Sequence, residues 1–279
     1  LDVWMEYAWK KEIHGSILAY LGMKKDHFYS VENTVDGKFF VTARGWEDLS
    51  EILKAYEELG VEITENLIGE YLCRDEIARS FFASYQLYRK YGEDYGLKRL
   101  LSGEMAEEEQ QKKVKMAEGA SFEERFLVTG LLLSGLNGSF LDYEKLDKET
   151  GAVYQELLHL KAFLHDKKDM TALDEFTDVK KKSLAVRLEA ELLNLEQQTT
   201  EEFVIRTLEE FSLTIRKEHI TDTETGFERI RQLFTEMVEK RKDCAKKISR
   251  ELERAFAFMK ACFGDGQETV LFVTGLTMN

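Results

Sequence analysis

The sequence predicts a mainly α-helical protein: a small helical domain carrying one β-hairpin, followed by a long-helix bundle or an antiparallel coiled-coil extension. Three observations lead there. Apolar residues recur at helical spacing along most of the chain, for longest in Phe227, Ile230, Phe234, Met237, Ile248, Leu252, Phe256, Met259 and Phe263. Extended, β-prone runs occur in one place, Phe28–Val31 and Lys38–Val41, around a segment containing Asp36-Gly37. The late stripes are narrow and flanked by charge, the pattern that packed helical hairpins bury.

Taken in order, Val3, Trp4, Tyr7 and Ala8 predict a first helix ending near Glu12. His14-Gly15 marks a break, after which Ser16 is placed to cap a short helix through Leu21. The hairpin follows. Thr42 or Ala43 then leads into an amphipathic helix carrying Trp46, Leu49, Ile52, Leu53 and Tyr56, with Gly60 as its stop. Thr64 opens another helix, anchored by Leu67, Ile68, Tyr71, Leu72, Ile77, Phe81 and Phe82 and running to Gly92. Tyr91–Gly96 reads as a boundary, giving domains over 1–97 and 98–279. Beyond it, Glu104–Glu118 predicts a solvated helix or connector, and Phe122–Leu136 a buried helix at the centre of the second domain. From Asp178 onward, Leu184, Leu188, Leu192 and Leu195 form one stripe and Val204, Leu208, Phe211 and Ile215 another. Gly264–Thr269 reads as a turn into a helix or a strand.

Composition bounds the function. The chain has 279 residues, with 39 Lys and Arg against 53 Asp and Glu, a net charge of −14. So acidic a surface repels nucleic acid and anionic membrane, and neither is expected as a partner. Three widely spaced cysteines, Cys73, Cys244 and Cys262, fit a reducing cytoplasm better than a disulfide framework. No apolar run reaches the roughly 20 residues that span a bilayer. The chain starts inside an amphipathic pattern at Leu1 and stops after the apolar run Val270–Val273, so it is read as a fragment. It has no proline, where average usage of about 5% gives roughly 14. Proline removal is one account of this, and the parent gene decides.

One residue carries a chemical expectation. Arg44 lies between the extended run ending at Val41 and the helix carrying Trp46, where a guanidinium can reach a phosphate. A helix N-terminus disfavours a cation, so an arginine there calls for an external anion. The plainer alternative is a surface arginine paired with Glu47 or Asp48. No G-x-x-x-x-G-K-[ST] loop accompanies it, so a nucleotide site would need a second half from elsewhere. Other motifs carry less. His159 and His165 stand six apart, unlike the i, i+4 pair of a zinc helix, and His14, His27 and His219 have no neighbouring Cys or His. They are read as ordinary surface or packing histidines, and no metal is expected. The acidic runs at Glu107–Glu109 and Glu201-Glu202 are read as solvated faces, and the aromatics from Phe81 to Tyr91 as core.

A family resemblance enters through the opening Leu1–Ala8, Ile13-His14, Tyr20-Leu21, Asp36-Gly37-Lys38 and the string Val41-Thr42-Ala43-Arg44-Gly45-Trp46-Glu47-Asp48-Leu49-Ser50. These resemble the segment that follows the ATPase core in MoxR-type AAA+ proteins of Firmicutes. Phe263–Glu268 with Phe272-Val273-Thr274 resembles the C-terminal extension of the same subgroup. Residues 98–250 match only in helical character. The resemblance implies that 1–97 is an AAA+ lid with Arg44 as its sensor-2 arginine, both an accessory catalytic and a nucleotide-binding residue. It implies a ring-forming ATPase whose Walker motifs, sensor 1 and arginine finger lie upstream of Leu1. ATP and Mg would then bind only in the full-length parent, and this fragment alone would bind no cofactor and be inactive. The implied partners are the upstream core, neighbouring ring subunits and a von Willebrand A domain protein, in chaperone-like remodelling. Many relatives have proline where this chain has Gly15 and Ala43. The alternative function is a non-catalytic helical interaction module, with the partner docked on the latter half.

Overall fold

A computed structural model describes residues 1–34, 37–167 and 169–277, with the backbone alone at residues 2, 32–34 and 37–39. The described chain is mainly helical, with one two-stranded antiparallel sheet. It forms two compact units: Leu1–Leu141 with Ile248–Asn279, and Asp142–Lys247. The expected division at 97/98 therefore falls inside the first unit. Gly96 is the left-handed C-cap of one helix and the N-cap of the next, and both its neighbours, Tyr95 and Leu97, are buried. A glycine that reads as a linker is here a tight corner within one core.

The first unit starts with α1 (Asp2–Lys10) and α2 (Gly15–Met23). The cap of α2 is not Ser16 but His14, whose ring accepts from the Ser16 backbone N–H. Strands β1 (Ser30–Thr34) and β2 (Gly37–Val41) pair with Ser30 opposite Val41 and Thr34 opposite Gly37. Gly37 thus belongs to the strand, while Asp36 of the expected turn lies outside the described residues. Helix α3 (Ala43–Leu59) has Thr42 as its N-cap and ends at left-handed Gly60, both as expected. The single helix expected from Thr64 to Gly92 is two: α4 (Glu65–Tyr71) and α5 (Asp75–Tyr95). The apolar period crosses the break at 72–74, with neither glycine nor proline to signal it. Helices α6 (Leu97–Ser102) and α7 (Glu107–Glu118) follow.

Helix α8 (Phe122–Leu164) runs far past the expected Leu136, and its first part lies in the first unit rather than a second domain. It helps bury the core there: Leu132 and Leu136 join Ile17, Tyr20 and Leu21 of α2, Trp46, Leu49 and Leu53 of α3, and Phe81 and Tyr85 of α5. The C-terminal part of α11 (Thr223–Phe263) adds Phe258 and Met259, and α12 (Gln267–Thr277) adds Phe272. The Gly264–Thr269 turn therefore leads into a helix.

The second unit contains the rest of α8, α9 (Thr171–Glu189), α10 (Leu195–Lys217) and the first part of α11. Val153, Leu157 and Leu160 of α8, Leu173 of α9, Leu208 and Phe211 of α10 and Ile230 of α11 share one core. The ion pairs Asp174–Arg216, Lys181–Glu209 and Arg187–Glu201 run in opposite numerical order, so α9 and α10 are antiparallel. Asn194 and Gln197 form a reciprocal capping box that starts α10. The expected stripe from Leu184 to Leu195 stops at the end of α9, and Leu192 and Leu195 are exposed. Among the described residues, no helix is long and apolar enough to cross a membrane.

Candidate functional site

The segment around Arg44 is built from the hairpin outward. Val41 ends β2 fully buried, and Thr42 leaves it in extended conformation. The Thr42 hydroxyl accepts from the Gly45 N–H at 3.2 Å, fixing the first turn of α3. Two consecutive residues of α3 are held through tryptophans. The buried Trp46 donates from its indole to the Phe28 carbonyl at 3.2 Å, and Trp4 donates to the Glu47 carboxylate at 3.2 Å. Gly45 passes so close to α4 that a Cβ there would lie 2.8 Å from the Tyr71 carbonyl oxygen. Only glycine allows that approach.

Arg44 projects outward from this turn with its side chain 80% exposed. Its Nε meets the Asp48 carboxylate at 3.0 Å, one helical turn on. Of the two acids foreseen as partners, Asp48 takes the arginine, because Glu47 faces Trp4. What the arrangement offers chemically is an accessible guanidinium on a rigid first turn, with no acid of its own in that turn.

A second constellation was not legible as a site. A cleft of about 1030 Å³ in the first unit is lined by His14, Glu57, Tyr88, Arg89 and Ser134, among others. The His14 side chain, 11% exposed, sits with Nε2 3.1 Å from Glu57, and the Tyr85 hydroxyl donates to the other Glu57 oxygen at 2.8 Å. Because His14 Nδ1 accepts from the Ser16 N–H, Nε2 carries the hydrogen and donates to Glu57. His14 also donates its backbone N–H to the buried Ser50 hydroxyl at 2.9 Å. These contacts tie the start of α2 to α3 and α5. Ser16 lies 2.7 Å from the ring but is buried, so it is no accessible nucleophile. His14 is thus a packing histidine, as its sequence setting implied, but with a partner 43 residues away.

Burial pushes the Glu57 carboxyl up; the hydrogen bonds from His14 and the Tyr85 hydroxyl, with the charge of Arg89, outweigh it and leave the carboxyl below the ordinary glutamate value. Burial raises the Tyr85 and Tyr88 hydroxyls strongly, with Glu57 adding to the rise at Tyr85. A carboxyl lowered on folding stabilises the protein above its unfolded pKa, and that contribution is lost as pH falls through the lowered value. Glu57→Gln is therefore expected to flatten the acid limb of the urea midpoint against pH. A variant with the same acid limb as the wild type contradicts this coupling.

Gly15 lies under the same network. A Cβ there would meet the Tyr88 hydroxyl at 2.2 Å and Ser134 Oγ at 2.5 Å. Gly15→Ala is expected to cost about 1–3 kcal/mol through overpacking, with Tyr88→Phe in the same chain recovering part of it. Urea unfolding of both variants measures this.

Among the described residues, no group of three His, Cys, Asp or Glu is placed to hold a metal ion. His159 and His165 each meet a nearby carboxylate at the surface. No protein-family model, no curated protein and no solved structure matches the chain. The family reading therefore rests on the residues quoted for it.

Proposed function

We propose that residues 1–97, which lie within the first unit, are the helical lid of a MoxR-type AAA+ ATPase. In this reading Arg44 is its sensor-2 arginine, meeting the terminal phosphate of Mg-ATP held by an ATPase core outside these 279 residues. The second unit would belong to a helical extension that engages a partner or client, a von Willebrand A domain protein among the candidates, in chaperone-like remodelling. The observation that carries the reading is Arg44 itself. It is exposed, set on a first turn fixed by Thr42, Trp46 and Gly45, and bonded, among the described residues, through Nε alone. A planar, permanently charged fork on a rigid support suits the charge that develops during phosphoryl transfer. The guanidinium fits a phosphate, while the rest of the nucleotide and its Mg would be held by the core.

The test is ATP turnover. Residues 1–279 alone should not hydrolyse ATP, and the full-length polypeptide should. Turnover by the isolated chain, or none by the full-length protein, overturns the proposal.

A second reading, a non-catalytic interaction module, is favoured by Val179, Val186 and Leu213, which stand exposed on α9 and α10. A pull-down with residues 142–247 tests partner binding by that unit, and a partner captured there beside a full-length polypeptide that does not hydrolyse ATP favours this reading over the first. The two are compatible if the unit recruits clients for the ATPase.

A further inference from the structure

Arg44 does not stand alone on its turn, and we propose that Asp48 is the positioning residue that aims its fork at the phosphate. This rests on the reading of Arg44 given above.

Helix stability does not account for the Arg44–Asp48 pair. The first turn of α3 holds no acid, as in α2 and α6, whereas α4, α5, α7, α9 and α10 each carry one or more there. A cation in that turn opposes the helix dipole. A basic residue four positions before an acid is also the weaker order for supporting a helix. A local cost of this kind, for which the fold itself shows no compensating gain, calls for a gain elsewhere.

The geometry supplies the gain. Among the described residues, Asp48 is the only hydrogen-bonding or charged partner of Arg44, and it takes Nε at 3.0 Å. Nη1 and Nη2 are left as an end-on pair of parallel donors, the edge that matches two oxygens of one phosphate. An arginine side chain turns about several bonds and, fully exposed, samples many orientations. The backbone beneath it is already fixed by the Thr42 cap, the Trp46 indole and the Gly45–Tyr71 approach. Asp48 sits one turn below on the same face and restrains the side-chain torsions that remain. Its own side chain is 42% exposed and belongs to no core, so removing it leaves the packing intact.

The experiment measures kcat and KM for ATP in the full-length polypeptide for wild type, Asp48→Ala, Asp48→Asn, Arg44→Ala and the Arg44→Ala/Asp48→Ala double variant. Loss of a positioning group is expected to lower kcat about tenfold in Asp48→Ala, with KM and the thermal midpoint little changed. Asp48→Asn, whose amide oxygen still accepts from Nε, should recover most of the rate. In the Arg44→Ala background the Asp48→Ala change should have no further effect. Wild-type kcat in Asp48→Ala beside a slow Arg44→Ala overturns the positioning role and leaves Arg44 standing. Equal loss from Asp48→Ala in both backgrounds also overturns it, because Asp48 would then act without Arg44. Wild-type turnover in Arg44→Ala overturns both.

Discussion

Replacing Arg44 by alanine in the full-length polypeptide is expected, on the proposed lid reading, to lower kcat for ATP hydrolysis by about 100-fold or more, the usual cost of removing one preorganised donor from a charged transition state. The thermal midpoint should move little, because the side chain is 80% exposed. Arg44→Lys makes the expectation sharper. Lysine keeps the charge and can still reach Asp48, so a purely local ion pair would survive it. It loses the planar fork, and on the sensor reading it should remain closer to alanine than to wild type. Wild-type rates in both variants would return Arg44 to the status of a surface residue.

Trp46→Ala is expected to cost about 3–5 kcal/mol, a large part of the roughly 5–15 kcal/mol that holds a typical domain together. The ring is fully buried, with Phe81 edge-on at 5.3 Å and Tyr20 at 5.9 Å. Its indole also satisfies the Phe28 carbonyl just before β1. Trp46→Phe keeps an aromatic body but strands that carbonyl, and should fall between the two at about 1–3 kcal/mol. Urea unfolding followed by near-ultraviolet circular dichroism reads both. Equal stabilities for Phe and Trp at this position would show that the hydrogen bond contributes nothing. The same residue secures the turn that carries Arg44, so the loss should reach the first turn of α3.

The elements that sequence reading placed best are those with local punctuation. Thr42 and Gly60 bracket α3 with a hydroxyl cap and a left-handed stop, and the intervening apolar residues share one face. The hairpin announced itself through β-prone runs in one place only. Where punctuation was absent, reading failed. The break between Tyr71 and Asp75 involves Leu72, Cys73 and Arg74, none of which signals a stop, and the apolar period runs through it. Where punctuation was misleading, the boundary moved: Gly92 and Gly96 looked like a linker, yet Gly96 turns the chain between two buried neighbours.

The division into units was out of reach for a different reason. The first unit closes only when Ile248–Asn279 returns to it, and no local pattern reports which early segment a late helix will cover. The same limit hid the network around His14. Its partners Glu57 and Tyr85 come from other helices, and nothing near His14 in sequence points to them. Arg44 and Asp48, by contrast, lie one helical turn apart, so their pairing was visible as an option from spacing alone.

The central claim is that Arg44 meets the terminal phosphate, and binding tests it more directly than turnover. The measurement is the affinity of the full-length polypeptide for ADP and for a non-hydrolysable ATP analogue, with and without Arg44→Ala. One bidentate charge-assisted contact contributes about 1.5–3 kcal/mol, so analogue binding should weaken by roughly 10- to 100-fold while ADP binding is unchanged. Equal weakening of both nucleotides, or of neither, contradicts the claim.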